Sequence, residues 1–352
     1  MESWLFADDT ALAASSDNFI DLQAQMNREA HKLQDWLLAN NLSVHYAKKT
    51  QFILFIPPGK KKSKPNEFEV KMGGNIIEQT GTYKYLGIII DENLNWEPHI
   101  SKMCGKLASV CGVISKVRHI LDRNSLMMIY HSLVESRLRY GILGWSTASN
   151  HQLDRLKTLQ NRALRYIDFS PICTTILPIY AQFKVLPLNR IIDLERANYM
   201  FSLTYNLLPE VFQSYFTKPS HNYQTRYSQN NYCVAPYLSK RSESSIKVIG
   251  PRAWEKIPEN IKMLPFRKTF SKKLKQFYIS ELPTEKRTKD LHFGPKKVSR
   301  TTLKDIFDSS GEDATFLGFD LCPSLSTIFN ESDEEFSFLG FVNTSNIVHE
   351  KL

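Results

Sequence analysis

Residues 3–7 are apolar and lead into Asp8-Asp9-Thr10, then Ala11–Ala14, a pattern that predicts strand, tight acidic turn and strand. Ser16-Asp17 supplies an N-cap, and Phe19, Leu22, Met26, Ala30, Leu33 and Leu37 recur every three or four residues as one apolar face of a helix that Asn40-Asn41 ends. Phe52–Ile56 reads as a strand. A basic loop, Lys60–Lys64, follows, and then two short strands, Phe68–Met72 and Asn75–Glu78, with Gly73-Gly74 as their hairpin turn. Tyr83–Asp91 is another predicted strand. From Trp96 the period becomes helical, with helices predicted over 97–120, 123–140, 150–168 and 187–207. Residues 217–245 are polar and read as irregular. Phe270, Leu274 and Phe277 mark a last amphipathic helix with Lys on its other face. Residues 283–300 read as a Lys/Arg-rich linker.

Composition changes this picture at the C-terminal end. The chain of 352 residues carries a net charge of +9, but residues 301–352 hold 2 Lys against 10 Asp and Glu, a net of −8. The body therefore carries +17, which suits a polyanion such as nucleic acid, or else marks a merely soluble basic protein. The acidic end also repeats itself. Ile306–Phe319 and Ile328–Phe341 match in their acids and in a Phe-Leu-Gly-Phe step. Such a segment has little means of folding alone and is expected to be disordered. Apolar runs such as Tyr85–Ile90 are too short to span a bilayer, so no membrane is expected. Five scattered cysteines (Cys104, Cys111, Cys173, Cys233, Cys322) match no common zinc spacing or disulfide framework, which predicts an intracellular, reduced protein. Trp145 and Trp254 read as packing residues.

The acidic pair carries the candidate chemistry. Nucleotidyl transfer needs several carboxylates around two Mg²⁺ ions about 3.5–4 Å apart. An isolated Asp-Asp on a hairpin is usually only a turn. Here Phe6-Ala7-Asp8-Asp9 resembles the FADD box of reverse transcriptases, and the following residues keep the order seen in non-LTR retrotransposon reverse transcriptases of the jockey and CR1 type. The matching segments are Trp36, Leu42-Ser43-Val44, Lys48-Lys49-Thr50, Tyr85-Leu86-Gly87, Leu94-Asn95-Trp96, His99-Ile100, Thr225-Arg226 and Ser245–Trp254. The resemblance implies that Asp8 and Asp9 contribute to a Mg²⁺ site, that Lys48 or Lys49 acts near pyrophosphate, and that Tyr85, Leu86 and Gly87 support the primer end. RNA and DNA would be the partners, in the nucleus or alternatively the cytoplasm. The chain departs from the family at His45, where an Asn is usual. The family's first metal-binding Asp and its fingers lie upstream of the box, and only five residues precede Phe6, so the chain alone is expected not to polymerise.

Two further features suggest partners. Lys102, Lys106, Lys116, Arg118, Arg123, Arg137, Arg139, Arg155, Lys157, Arg162 and Arg165 lie on successive helices that resemble the family's thumb, where positive charge would follow a phosphate backbone. Most of them taken singly also fit solvated helix faces. The acidic repeats, Glu312-Asp313 before Phe316-Leu317-Gly318-Phe319 and Glu334-Glu335 before Phe338-Leu339-Gly340-Phe341, resemble the acidic FxGF ligands of helical bundles such as the integrase-binding domain of LEDGF and the TFIIS N-terminal domain. Two Phe rings of ~150–250 Å² each could fill an apolar pocket, with Gly allowing a turn that aims both the same way. The alternatives are a self-associating low-complexity tail, or a tail at −8 that folds back on the basic body.

The expected architecture is α+β: a truncated reverse-transcriptase palm over 1–95 (hairpin, helix and strands), a helical thumb-like region over 96–170, a helical extension over 171–282, and a disordered linker and acidic tail over 283–352. The rival function is a non-catalytic nucleic-acid and chromatin adaptor held by its FLGF repeats.

Overall fold

The computed structural model describes residues 2–6, 9–42, 44, 50–57, 68–219, 231–237, 239–283 and 336–343. Its strands are β1 (Glu2–Phe6), β2 (Asp9–Ser16), β3 (Gln51–Phe55), β4 (Val70–Met72), β5 (Asn75–Gln79), β6 (Thr82–Tyr85), β7 (Ile88–Asp91) and β8 (Phe336–Asn343). Helix α1 (Phe19–Ala39) lies between β2 and β3 in the chain. After β7 come α2 (Glu97–Val117) and α3 (Arg123–Ile129), which continues through a π-helical turn (Tyr130–Glu135) into α4 (Ser136–Arg139). Then follow α5 (Ile142–Trp145), α6 (Asn150–Asp168), α7 (Leu177–Phe183), α8 (Leu188–Thr204) and α9 (Glu210–Gln213). The described helices end with α10 (Lys240–Glu243), α11 (Ile246–Glu255), α12 (Glu259–Lys262) and α13 (Arg267–Ser280). The mixed α+β class expected from the pattern is what the structure shows. No helix among the described residues is long and apolar enough to cross a membrane.

Helix α1 forms because its apolar stripe and its cap agree. Asn18, not Ser16 or Asp17, is the N-cap: its side chain accepts from the Ile20 N–H at 2.9 Å. Phe19, Leu22, Met26, Ala30 and Leu37 are buried, and Leu33 packs beside them. Opposite them lie Leu12, Ala14, Phe52 and Leu54, one face of the large sheet. The alternate residues Ala11, Ile53 and Phe55 join the main core on the other face.

That sheet runs in the order β1-β2-β8-β3-β5-β4. Strand β8 is antiparallel to both β2 and β3, with Leu339 opposite Ala13 on one side and Ile53 on the other. Within the span 283–352, expected to be a disordered linker and tail, Phe336–Asn343 forms this strand; residues 284–335 and 344–352 lie outside the described residues. Phe338, Leu339, Gly340 and Phe341 are strand residues, not a turn around Gly340. The physical reason is that this uncharged, aromatic-rich stretch suits a strand, and edges on both sides offer it backbone partners.

The helical part is built around α8, in which Ile191, Leu194, Ala197, Met200 and Phe201 are almost completely buried. Phe201 stacks on Phe270 of α13, with ring centroids 4.5 Å apart. Trp145 and Trp254 are buried in this core, as packing residues should be. Gln160 on α6 fastens three elements: its amide donates to the Tyr130 hydroxyl and the Leu186 carbonyl, and its oxygen accepts from the Leu188 N–H. The predicted helix over 123–140 is realised as three segments, with buried Glu135 at the end of the π turn.

Candidate nucleic-acid interface

The acidic hairpin pairs Phe6 with Asp9 across its closed end. Asp8, between them, lies outside the described residues. Asp9 opens β2 half-buried, opposite Asn343 of β8. It is also close to the small second sheet: burial, and then the charge of Asp9, push the Tyr83 hydroxyl up from its ordinary value. The charge of Asp9 is thus felt on β6, the strand that leads into Tyr85-Leu86-Gly87. Lys48 and Lys49 lie outside the described residues, as do the basic loop Lys60–Lys64 and Thr225-Arg226.

Tyr83–Asp91 is not one strand. Leu86 and Gly87 form a two-residue turn between β6 and β7, with φ of 46° and 82° and Tyr85 opposite Ile88. Two left-handed residues in a row match the twist of a tight hairpin, and Gly is favoured at the second. The uninterrupted apolar run Tyr85–Ile90 hid this turn. Tyr85 is buried, Leu86 half-buried and Gly87 exposed, so the three residues do not share one surface. Tyr140, absent from the sequence reading, supports the turn. Its hydroxyl donates to the Leu86 carbonyl, and a Cβ added at Gly87 would stand 3.3 Å from its ring. The only available signal was Tyr140-Gly141, where α4 ends and Gly141 takes a φ of 66°.

The other matching residues explain how α2 is aimed. The Asp91 carboxylate accepts from the N–H groups of Asn93, Asn95 and Trp96, the last at 2.9 Å. Trp96 takes a φ of 65°, and its indole N–H donates to Thr147 Oγ1 at 2.9 Å. His99 Nδ1 accepts from the Ile89 N–H at 3.3 Å, tying α2 back to β7. Burial, then the charges of Lys102 and Lys106, hold His99 down at about 4. These residues set the angle between the hairpin and α2.

The basic residues divide by use. Arg139 pairs with Glu135 and Glu195, Arg155 with Glu97, and Lys157 with Asp154. Burial pushes Glu135 up, but the hydrogen bond to His131 and the charge of Arg139 outweigh it and hold this carboxyl at about 2. Arg118 lies over the Tyr166 and Phe169 rings, Arg123 over Phe183, and Arg165 donates to the Thr174 carbonyl. Lys102, Lys106, Lys116 and Arg162 are exposed. Arg137 Nη1 donates to the Lys106 carbonyl at 3.3 Å, which places its charge beside α2. Lys102, Lys106 and Arg137 thus form a basic ridge adjoining the helix whose N-terminal turn is tied to the hairpin.

Of the acidic pair, Asp9 is described and can offer Mg²⁺ a hard oxygen ligand; among the described residues no three His, Cys, Asp or Glu side chains gather as a metal-holding group. The described residues by themselves do not make a magnesium site.

No protein-family model and no solved structure matches the chain. Curated relatives do. The chain is 27% identical over 191 residues to the RNA-directed DNA polymerase from mobile element jockey of Drosophila funebris, covering 51% of this chain and 19% of that protein. The jockey polymerase of Drosophila melanogaster is 27% identical over 170 residues, 47% of this chain and 18% of the relative. The probable RNA-directed DNA polymerase from transposon BS of Drosophila melanogaster is 29% identical over 180 residues, 47% of this chain and 18% of the relative. About half of the chain is therefore similar to polymerases of non-LTR mobile elements, as the motifs implied. The chain spans about a fifth of the length of the curated relatives it matches.

Proposed function

We propose that this chain is the later palm and the thumb-like part of an RNA-directed DNA polymerase of a non-LTR mobile element. By itself it grips a nucleic-acid duplex without extending a primer. The observation that carries this reading is the Leu86-Gly87 turn, backed by Tyr140, and the basic ridge on and beside α2, the helix tied to the same hairpin through His99. In the complete polymerase, Asp8 and Asp9 supply carboxylates to Mg²⁺, Lys48 or Lys49 neutralises the departing pyrophosphate, and the turn backed by Tyr140 supports the primer end. The other ligands and the template contacts come from residues beyond the fifth of the relatives that is matched here. A protein that acts on chromosomal DNA would work in the nucleus, with the cytoplasm as the alternative.

The test is a primer-extension assay with the purified chain, an RNA template annealed to a DNA primer, dNTPs and Mg²⁺, alongside binding of the same hybrid. Hybrid binding without extension is expected. Extension that Asp8→Ala abolishes would contradict the second half of the proposal, and absence of binding would contradict the first.

The adaptor reading, with FLGF repeats held by a small helical bundle, is supported by the duplication of the acidic motif. Phe316→Ala with Phe319→Ala, and Phe338→Ala with Phe341→Ala, should each weaken capture of such a bundle; capture unchanged in all four positions rules it out.

A further inference from the structure

The Ser245–Trp254 segment forms the cap and most of α11, where the Ser245 side chain accepts from the Lys247 N–H at 3.3 Å. Gly250 lets this helix close on α8, since a Cβ there would stand 2.8 Å from Met200 Sδ. That approach leaves Ile249 and Arg252 lining a pocket of about 410 Å³, with Ser146, Leu153, Ile192 and Arg196 on its other walls. Thr147, also in the lining, accepts from the Trp96 indole, which joins the pocket to the start of α2. Arg196 is short of partners there. Its side chain is only 19% exposed, and a guanidinium has five N–H donors to satisfy. Nη2 reaches Ser146 Oγ at 3.4 Å, Nη1 stands 4.0 Å from Asp193, and the buried Nε has no partner among the described residues. Asp193 is shared, because it also stands 3.7 Å from Arg190. Arg139, by contrast, pairs with both Glu135 and Glu195. Burial outweighs the charge of Asp193 and pulls the Arg196 guanidinium down from its ordinary value, yet an arginine stays charged inside a protein. A buried cation with so few partners is costly until an anion joins it.

We infer that this pocket takes one nucleotide of a single-stranded nucleic acid, with its phosphodiester on Arg196 and Arg252 and its base against Leu153, Ile192 and Ile249. The inference rests on the nucleic-acid reading of the chain and names a second, separate contact for the strand. The forked guanidinium suits phosphate oxygens, and Arg196 has donors to spare. Helix α6 begins at the pocket, where Asn150 lines it, and a helix N-terminus favours an anion. Charge chooses the kind of phosphate. Arg196 and Arg252 are balanced in the lining by Asp193 and Glu243, the last tied to Arg252 at 3.5 Å, so a singly charged phosphodiester fits better than a dianionic phosphate. Volume points the same way: the pocket falls within the roughly 300–1,000 Å³ of sites that enclose an organic ligand, and its apolar wall suits the face of a base. A base can enter such a pocket only when it is unpaired, which selects a single strand over a duplex.

Fluorescence anisotropy on the full chain tests this with labelled oligouridine, labelled oligothymidine and the RNA–DNA hybrid. Arg196→Gln should weaken single-strand binding about tenfold and leave hybrid binding within about twofold of the parent. Asn189→Trp keeps every charge and alters an exposed position of the lining, so it should weaken the same binding by filling the pocket even if Arg196→Gln fails to fold. The two oligonucleotides separate the sources: the strand whose binding both variants weaken is the one the pocket takes. Crosslinks from a thiouridine-substituted strand should map to residues 146–153 and 249–252. Single-strand binding that neither variant weakens, beside intact hybrid binding, would overturn the inference and leave the duplex reading standing. Absence of binding to all three probes would overturn both. Displacement of the strand by inorganic phosphate as readily as by unlabelled strand would reduce the pocket to a bare anion site and overturn the nucleotide claim.

Discussion

The helical half and the sheet half of this molecule reach stability by different routes. In the helices of residues 97–280, Trp145, Phe201, Trp254 and Phe270 are all buried in the core around α8, and the elements that meet there lie nearer one another in the chain than β3 and β8 do. In the sheet, β2 and β3 depend on a strand that follows β3 by nearly three hundred residues. Local contacts form readily, whereas a strand fetched from a distance carries a loop-closure cost. The helices should therefore survive conditions that open the sheet.

The sharpest way to break that comparison is to injure the helical core. Trp145 is fully buried and its indole N–H donates to the Tyr140 carbonyl at 2.8 Å. Trp145→Ala should cost about 3–5 kcal/mol in denaturant unfolding and remove the advantage of the helical half. A cost below about 1 kcal/mol would mean the core is not packed as described.

Acid should act next, and on the joint between the halves. His99 is buried with a folded pKa of about 4 against an ordinary 6.5, so the unfolded chain takes up its proton first as pH falls. Its contribution is full above pH 6.5 and lost between 6.5 and 4, on the order of 3 kcal/mol. Glu135, held at about 2 against 4.5, contributes fully above 4.5 and loses this as pH falls towards 2. Stability measured from pH 7 down to 4 should decline in the parent chain and flatten in His99→Gln. An equal slope in both would remove His99 from the account.

Smaller effects belong to the hairpin. Gly87→Val puts a branched side chain at a φ of 82° against the Tyr140 ring, at about 1–2 kcal/mol. Tyr140→Phe loses only the hydrogen bond to the Leu86 carbonyl, about 0.5–1.5 kcal/mol. Both should weaken hybrid binding while the helical core stays intact by thermal unfolding. Asp154→Ala, which breaks an exposed pair at 3.8 Å, should shift stability by less than about 0.5 kcal/mol and serves as the control.

What was readable in the sequence follows the same divide. The helix predicted over 150–168 is α6, and that over 187–207 contains α8, because the apolar periodicity and the caps at Ser149 and Pro187 are local. The Gly73-Gly74 turn was readable from its glycines, and both take positive φ. The Leu86-Gly87 turn was missed because apolar residues flank it closely on both sides. The last helix buries Tyr278 with Phe270 and Leu274, while the expected Phe277 packs only at the margin of the core. The role of β8 was not readable, since nothing in residues 336–343 says which edges will receive them. Of the candidate interface, the Asp-Asp box, the Tyr-Leu-Gly segment and the basic helices were visible as motifs, but the support from Tyr140 and the ion pairs and ring contacts that Arg118, Arg123, Arg139 and Arg155 make depend on contacts distant in the chain.

The measurement that bears most directly on the central claim is the salt dependence of RNA–DNA hybrid binding, followed by fluorescence anisotropy. The comparison is the parent chain against a variant carrying Lys102→Glu, Lys106→Glu and Arg137→Glu. If the ridge grips phosphates, affinity falls steeply with salt in the parent, and the slope of log K against log salt drops by roughly one for each cation removed. Equal slopes in the two proteins, or binding indifferent to salt, would contradict a nucleic-acid grip at this face.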